Sequence, residues 1–121
     1  TADGYTDFIR MLLNHGELNG YRFLNESTVK EMYSPHTQLE NEYGYNGYNL
    51  WVTSELVKEK GEGDEGLWRG GGYEGTHFWI DPKRDFVGVI MSQMFETPKS
   101  GEGRDGKIVG EIYRQIFSNE K

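Results

Sequence analysis

Apolar residues recur at helical spacing in the first stretch of the chain, at Tyr5, Phe8, Ile9, Leu12 and Leu13. That spacing predicts a helix with one buried face. Thr1 is placed to cap it and Asp3 suits its first turn. His15-Gly16 ends it, so His15 reads as a residue facing the helix C-terminus rather than as a base. Residues 17–23 read as a short link with Asn19-Gly20 as its turn. Asn25 reads as the next N-cap, with Leu24 and Val29 spaced as a hydrophobic staple. Val29, Met32 and Tyr33 give the buried side of this second helix, and Ser34-Pro35 stops it.

The pattern then changes. Residues 36–47 are polar, with tyrosines and glycines, and read as loop. Residues 48–57 are a strand candidate, with Leu50, Val52 and Ser54 on one side and Trp51 and Thr53 on the other. Residues 58–66 form a charged, glycine-rich stretch. Its Glu62, Asp64 and Glu65 raise the question of calcium, but the ligand spacing of a helix-loop-helix calcium site is absent. A solvated hairpin loop is expected there. Residues 67–71 read as the next strand. Thr76-His77-Phe78-Trp79-Ile80 is rich in strand formers. Asp81-Pro82-Lys83-Arg84-Asp85 reads as a turn, and residues 86–91 as a second apolar run. Residues 100–106 read as another polar, glycine-rich loop, in which Asp105 is placed to cap a last helix. Ile108, Val109, Ile112, Tyr113, Ile116 and Phe117 form its stripe. The order is helix, helix, three or four antiparallel strands, helix. This is the α+β class, with helices flanking an antiparallel sheet. Residues 1–121 read as a single unit without repeats or a clear linker.

Composition narrows the partners more than the fold. The 121 residues fit one domain or a part of a larger one. The start of the chain inside a helix N-terminus leaves room for a missing N-terminal portion. Eight tyrosines, six phenylalanines and three tryptophans are expected to carry much of the burial, at roughly 150–250 Å² each. A net charge of −7 argues against a nucleic-acid partner. Without cysteine, disulfides, thiol nucleophiles and cysteine-held metals are excluded. No apolar run approaches the roughly 20 residues of a membrane span. No signal peptide is recognisable.

The candidate chemistry centres on Gly70-Gly71-Gly72-Tyr73-Glu74-Gly75. Adjacent glycines let a ligand or a neighbouring backbone come close. A glycine-lined strand lets a substrate lie along it and hydrogen-bond to it; the alternative is a tight bend at a sheet corner. Tyr73 and Glu74 line the mouth of such a cleft or face solvent. His77 beside Phe78 and Trp79 reads as a packed or rim residue. Ser27-Thr28-Val29-Lys30 matches Ser-x-x-Lys by letters, but Ser27 suits the first turn of the second helix.

Three stretches carry a family resemblance. They are Thr1-Ala2-Asp3-Gly4-Tyr5 through Leu12-Leu13-Asn14-His15-Gly16-Glu17-Leu18, then Phe23-Leu24-Asn25-Glu26-Ser27-Thr28-Val29-Lys30-Glu31-Met32, then Gly71-Gly72-Tyr73-Glu74-Gly75-Thr76-His77-Phe78-Trp79-Ile80-Asp81-Pro82 with Val87-Gly88-Val89-Ile90-Met91-Ser92-Gln93. Together they resemble the C-terminal portion of the serine β-lactamase-related family. That family includes class C β-lactamases, DD-peptidases and penicillin-binding-protein-like esterases. The resemblance covers nearly all of this chain and about the last third of a complete member.

The resemblance implies the C-terminal part of a β-lactamase/transpeptidase-like fold and acyl transfer from a β-lactam, a D-Ala peptide or an ester. In the family a Ser-x-x-Lys serine attacks the carbonyl, a lysine or tyrosine takes its proton, and backbone N–H groups hold the oxyanion. Only the third motif, of Lys/His/Trp-x-Gly type, fits this segment. It falls on Arg69, Gly70, Gly71, Gly72 and Tyr73. One register puts its basic residue at Arg69, which would bind a substrate carboxylate; the other puts that position at Gly70. An arginine here departs from the family's usual choice and puts efficient β-lactam turnover in doubt. The resemblance implies no catalytic residue in this segment, no cofactor and no metal. It implies a small-molecule or peptide substrate, a partnership with the missing N-terminal portion of the same fold, and a periplasmic or secreted location. The alternative from another class is a peptide- or glycan-binding module that works at the glycine strand. A structural fragment without activity is the third reading.

Overall fold

A computed structural model describes residues 1–37, 43–72, 75–93 and 104–119, with the side chains of 104 and 105 left aside. Helix α1 (Ala2–Leu13) forms where the period places it. Thr1 Oγ1 accepts from the Gly4 N–H at 3.2 Å. His15 and Gly16 take φ of 55° and 99° and turn the chain back. Ile9, Met11 and Leu12 are buried, whereas Phe8 is 43% exposed. The contact face is therefore narrower than the predicted stripe, and Met11 takes the place expected of Phe8.

The expected link at residues 17–23 closes into a hairpin of β1 (Glu17–Leu18) and β2 (Tyr21–Arg22). Asn19 and Gly20 both take positive φ, 52° and 78°, the geometry that matches strand twist in a two-residue turn. Helix α2 (Glu26–Met32) starts after Asn25, whose side chain makes no capping bond. Val29 is fully buried, and Leu24 packs against the same cluster, as a staple requires.

The middle of the chain corrects three expectations. The expected loop at residues 36–47 contains a strand, β3 (Gly44–Asn46). The expected strand at residues 48–57 is only β4 (Trp51–Thr53), followed by α3 (Glu55–Glu59) with Ser54 at its N-cap. Asn49 before β4 has φ 55°, which no strand accommodates. The charged stretch is not a solvated loop throughout. Asp64 is 7% exposed, and its Oδ2 accepts from Arg84 Nη1 at 2.6 Å. Buried Thr53 is satisfied on both sides, donating to the Asp64 carbonyl at 2.7 Å and accepting from the Leu67 N–H at 3.0 Å.

Strands β5 (Trp68–Gly71), β6 (His77–Asp81) and β7 (Phe86–Ile90) follow the predicted hairpin. The sheet holds five antiparallel strands in the order β3-β4-β5-β6-β7, one more than expected. Helix α4 (Arg104–Ile116) takes in residues 104–106 of the expected loop, so Asp105 lies in its first turn rather than at its cap, and residues 100–103 lie outside the described residues. The α+β class holds.

Alternation along β6 divides the core in two. Phe78 and Ile80 join Trp68, Val52, Ile9, Leu12 and Val29 on one face. Trp79 joins Leu67, Val109, Phe86, Ile90 and Ile112 on the other. Helices α1 and α2 cover the first face and α4 the second. Val109 is fully buried, while Ile108 and Ile116 are 39% and 57% exposed, so the α4 stripe meets the sheet along one edge. Asp81 closes the β6–β7 turn by accepting from the Lys83 and Arg84 N–H groups at 3.0 and 3.2 Å. Tyr113 of α4 donates to Asp81 at 2.8 Å. Among the described residues no helix is long and apolar enough to cross a membrane.

Candidate functional site

Strand β5 is longer than its neighbour β4. Their pairing runs Val52↔Trp68 and Trp51↔Arg69 and stops there. On the other side β5 continues, Gly70↔Phe78 and Gly71↔His77. Gly70 and Gly71 therefore overhang the end of β4. Gly72 N–H donates to the Thr76 carbonyl at 2.8 Å, toward β6. Polar backbone groups alternate sides along an antiparallel strand, so those of Gly71 are directed to the open side. A pocket of about 250 Å³ lies at this overhang, lined by Tyr5, Asn49, Gly70, Gly71, Gly72, Thr76 and Phe78. That is just below the usual ligand-pocket range of roughly 300–1,000 Å³.

The three glycines are there for different reasons. None of them has positive φ, so the constraint is space rather than backbone conformation. A Cβ on Gly70 would fall 2.3 Å from Phe78 Cε1. A Cβ on Gly71 would lie 3.0 Å from the Thr76 carbonyl oxygen and 3.3 Å from His77 Nδ1. At Gly72 the nearest contact among the described residues is Thr76 Cβ at 3.8 Å, an ordinary separation. The left-handed turn falls at Gly75, with φ 87° and its N–H on the Gly72 carbonyl at 3.1 Å. The bend and the glycine-lined edge are thus neighbours, not alternatives.

Arg69 and Gly70 occupy successive strand positions and face opposite sides of the sheet. Gly70 and Phe78 look toward α1 and the pocket. Arg69 looks toward α4, where its Nε–H donates to His77 Nε2 at 3.2 Å. The structure thus separates Arg69 from the glycines with which the sequence grouped it. His77 is 9% exposed and its ring lies 6.1 Å from that of Trp79, a packed position as expected. The mouth of β6 is tied to the end of β7: Ser92 Oγ donates to the Gly75 carbonyl at 2.9 Å. Tyr73 and Glu74 lie outside the described residues.

Ser27 and Lys30 are exposed on α2, and neither lines the pocket. His15 borders a separate, shallow polar groove of about 540 Å³ with Asn14, Glu17, Asn19, Pro82 and Asp85. Tyr5, Asn49, Thr76 and Phe78 line the pocket without having been read as site residues in the sequence. The left-handed backbone that asparagine tolerates is the one sequence signal Asn49 offers. Among the described residues no three His, Asp or Glu side chains come together to hold a metal ion.

The strongest electrostatic perturbations lie on the α4 side, away from the pocket. Burial pushes the Asp64 carboxyl up, but Arg84, the Glu65 N–H and Lys58 outweigh it and hold the group below the usual carboxylate range. Burial first, then its bond to Asp81, raises the Tyr113 hydroxyl. Arg84 lies over the Tyr113 and Phe117 rings at 5.4 and 5.1 Å. This cluster binds α4 to the sheet.

No family model matches the chain. Two curated proteins of Mycobacterium tuberculosis are similar to it, Protein Rv1367c of strain H37Rv and the uncharacterized protein MT1414 of strain CDC 1551. Each is 28% identical over 107 residues, covering 77% of this chain and 27% of its own length. The chain spans about a quarter of the length of these relatives. Neither name states an activity.

Proposed function

We propose that the chain is the substrate-flanking, C-terminal part of a β-lactamase-related serine hydrolase acting on a β-lactam, a D-Ala peptide or an ester. The observation that carries this reading is the glycine overhang. Gly70 and Gly71 run past the end of β4 and border a pocket. An acyl substrate with an amide or ester backbone would lie along that edge as an added strand and pair with the open backbone groups of Gly71. The missing side chains permit the approach. Phe78 and Tyr5 supply an apolar wall. In this role the chain binds and orients the substrate and presents a backbone donor to the developing oxyanion. The nucleophile and its base belong to the remainder of the fold, for which relatives about three times as long leave ample room. The resemblance of the three sequence stretches supplies the reaction class.

The second reading is a peptide- or glycan-binding module. The same overhang favours it, because an open strand edge binds an extended chain with or without chemistry. The deciding experiment expresses the protein together with the coding sequence that precedes Thr1. It measures hydrolysis of nitrocefin, nitrophenyl esters and a D-Ala-D-Ala peptide, and acylation of a serine by mass spectrometry. Turnover with an acylated serine outside residues 1–121 supports the hydrolase. Saturable peptide binding without acylation supports the module instead.

A further inference from the structure

Arg69 and His77 meet directly behind the glycine overhang. The register places Arg69 opposite Trp79 and Gly71 opposite His77 on the same strand pair. Arg69 Nε–H donates to His77 Nε2 at 3.2 Å. A guanidinium has five N–H donors, no acceptor, and does not deprotonate in proteins. His77 Nε2 must therefore offer a lone pair, and the proton of the neutral ring resides on Nδ1. The Nδ1 edge is the one turned to the glycine strand, 3.3 Å from the place of a Gly71 Cβ. Gly71 is also the residue whose backbone groups are directed to the open edge.

We infer that Arg69 is a positioning residue that acts through His77, fixing the imidazole as its Nδ1–H tautomer against the back of Gly71. A proton on Nε2 would break the Arg69 bond. The pair thus holds the ring in a fixed orientation under the substrate-flanking backbone. Arg69 lies on the sheet face away from the pocket, so its guanidinium supports the strand rather than meeting a substrate carboxylate. The effect on substrate rests on the hydrolase reading; the tautomer does not.

Two measurements test this. In the ¹⁵N-labelled 121-residue chain at neutral pH, long-range proton–nitrogen spectra should show His77 protonated at Nδ1. Arg69→Met, which keeps the stem and removes the donor, should let the Nε2–H form appear. Arg69→Lys, which retains a donor, should restore part of the Nδ1–H signal. An Nε2–H ring in the native chain overturns the inference, whatever the fate of the variants. So does an unchanged tautomer in a folded Arg69→Met chain. In the active longer protein, Arg69→Met should lower kcat/KM roughly tenfold to a hundredfold, the scale of a lost supporting contact. The loss should be equal for carboxylate-bearing and neutral esters, and the double variant with His77→Phe should be no worse than His77→Phe alone. A loss confined to carboxylate substrates would assign Arg69 to the substrate and overturn the inference. If the longer protein hydrolyses nothing, the hydrolase reading falls and the spectra alone decide the positioning role.

Discussion

Gly70 and Phe78 stand directly opposite each other on β5 and β6, and the phenyl ring occupies the place of a Gly70 side chain, 2.3 Å from where its Cβ would be. Trp79, the next residue, covers Gly88 of β7 in the same way on the other face, 2.2 Å from where that Cβ would be. One central strand thus places two aromatics across two glycines, one toward each helix layer. Such cross-strand cover offsets what glycine costs a strand.

Gly70→Ala should destabilise the chain by about 1–3 kcal/mol, the scale of overpacking in a filled core. The ring is the obstacle, so the same change in a Phe78→Leu background should cost much less. Urea unfolding of the four-variant cycle reads the coupling. Equal costs in both backgrounds would separate Gly70 from Phe78.

Much of this was legible before the structure. The period predicted α1 and α2, and the strand formers at 76–80 and the apolar run at 86–91 predicted β6 and β7. Strand β3 was not legible, because three residues with one tyrosine at a sheet edge carry no pattern. Strand β4 looked longer than it is, because its flanks hide the left-handed Asn49 and the start of a five-residue helix at Glu55. Asp64 looked solvated because its partner Arg84 lies twenty residues away. The glycine edge was legible as an edge, but Tyr5 and Asn49 reach it only through the fold. The opposite facing of Arg69 and Gly70 follows from strand parity alone.

The Asp64–Arg84 pair predicts a pH dependence. The Asp64 carboxyl is held below its ordinary value of 3.8 in the folded chain. A depressed carboxylate contributes stability above the unfolded value and loses it as pH falls through the folded one. Arg84→Met should therefore cost about 3 kcal/mol at neutral pH, near the lower end for breaking a buried pair. The gap to the native chain should narrow as the pH falls below about 4. Urea midpoints across that range are the check, and a gap constant into acid would contradict it.

The 121-residue chain alone should hydrolyse neither nitrocefin nor short nitrophenyl esters. Among the described residues no serine lines the pocket beside a base, and Ser27 and Lys30 are exposed on α2. Turnover by the isolated chain that disappears in Ser27→Ala would make that pair the nucleophile and its base, against the present placement.

Gly72 offers the most direct test of the glycine edge as the substrate-flanking surface. It borders the pocket, and among the described residues a Cβ there meets nothing closer than 3.8 Å, so Gly72→Val adds bulk where these residues leave room for it. In the protein expressed with its preceding sequence, kcat/KM should fall by about tenfold or more, equivalent to ~1.4 kcal/mol of transition-state binding, while the melting temperature barely moves. An unchanged kcat/KM, or a loss that only follows a falling melting temperature, would remove the glycine strand from the site.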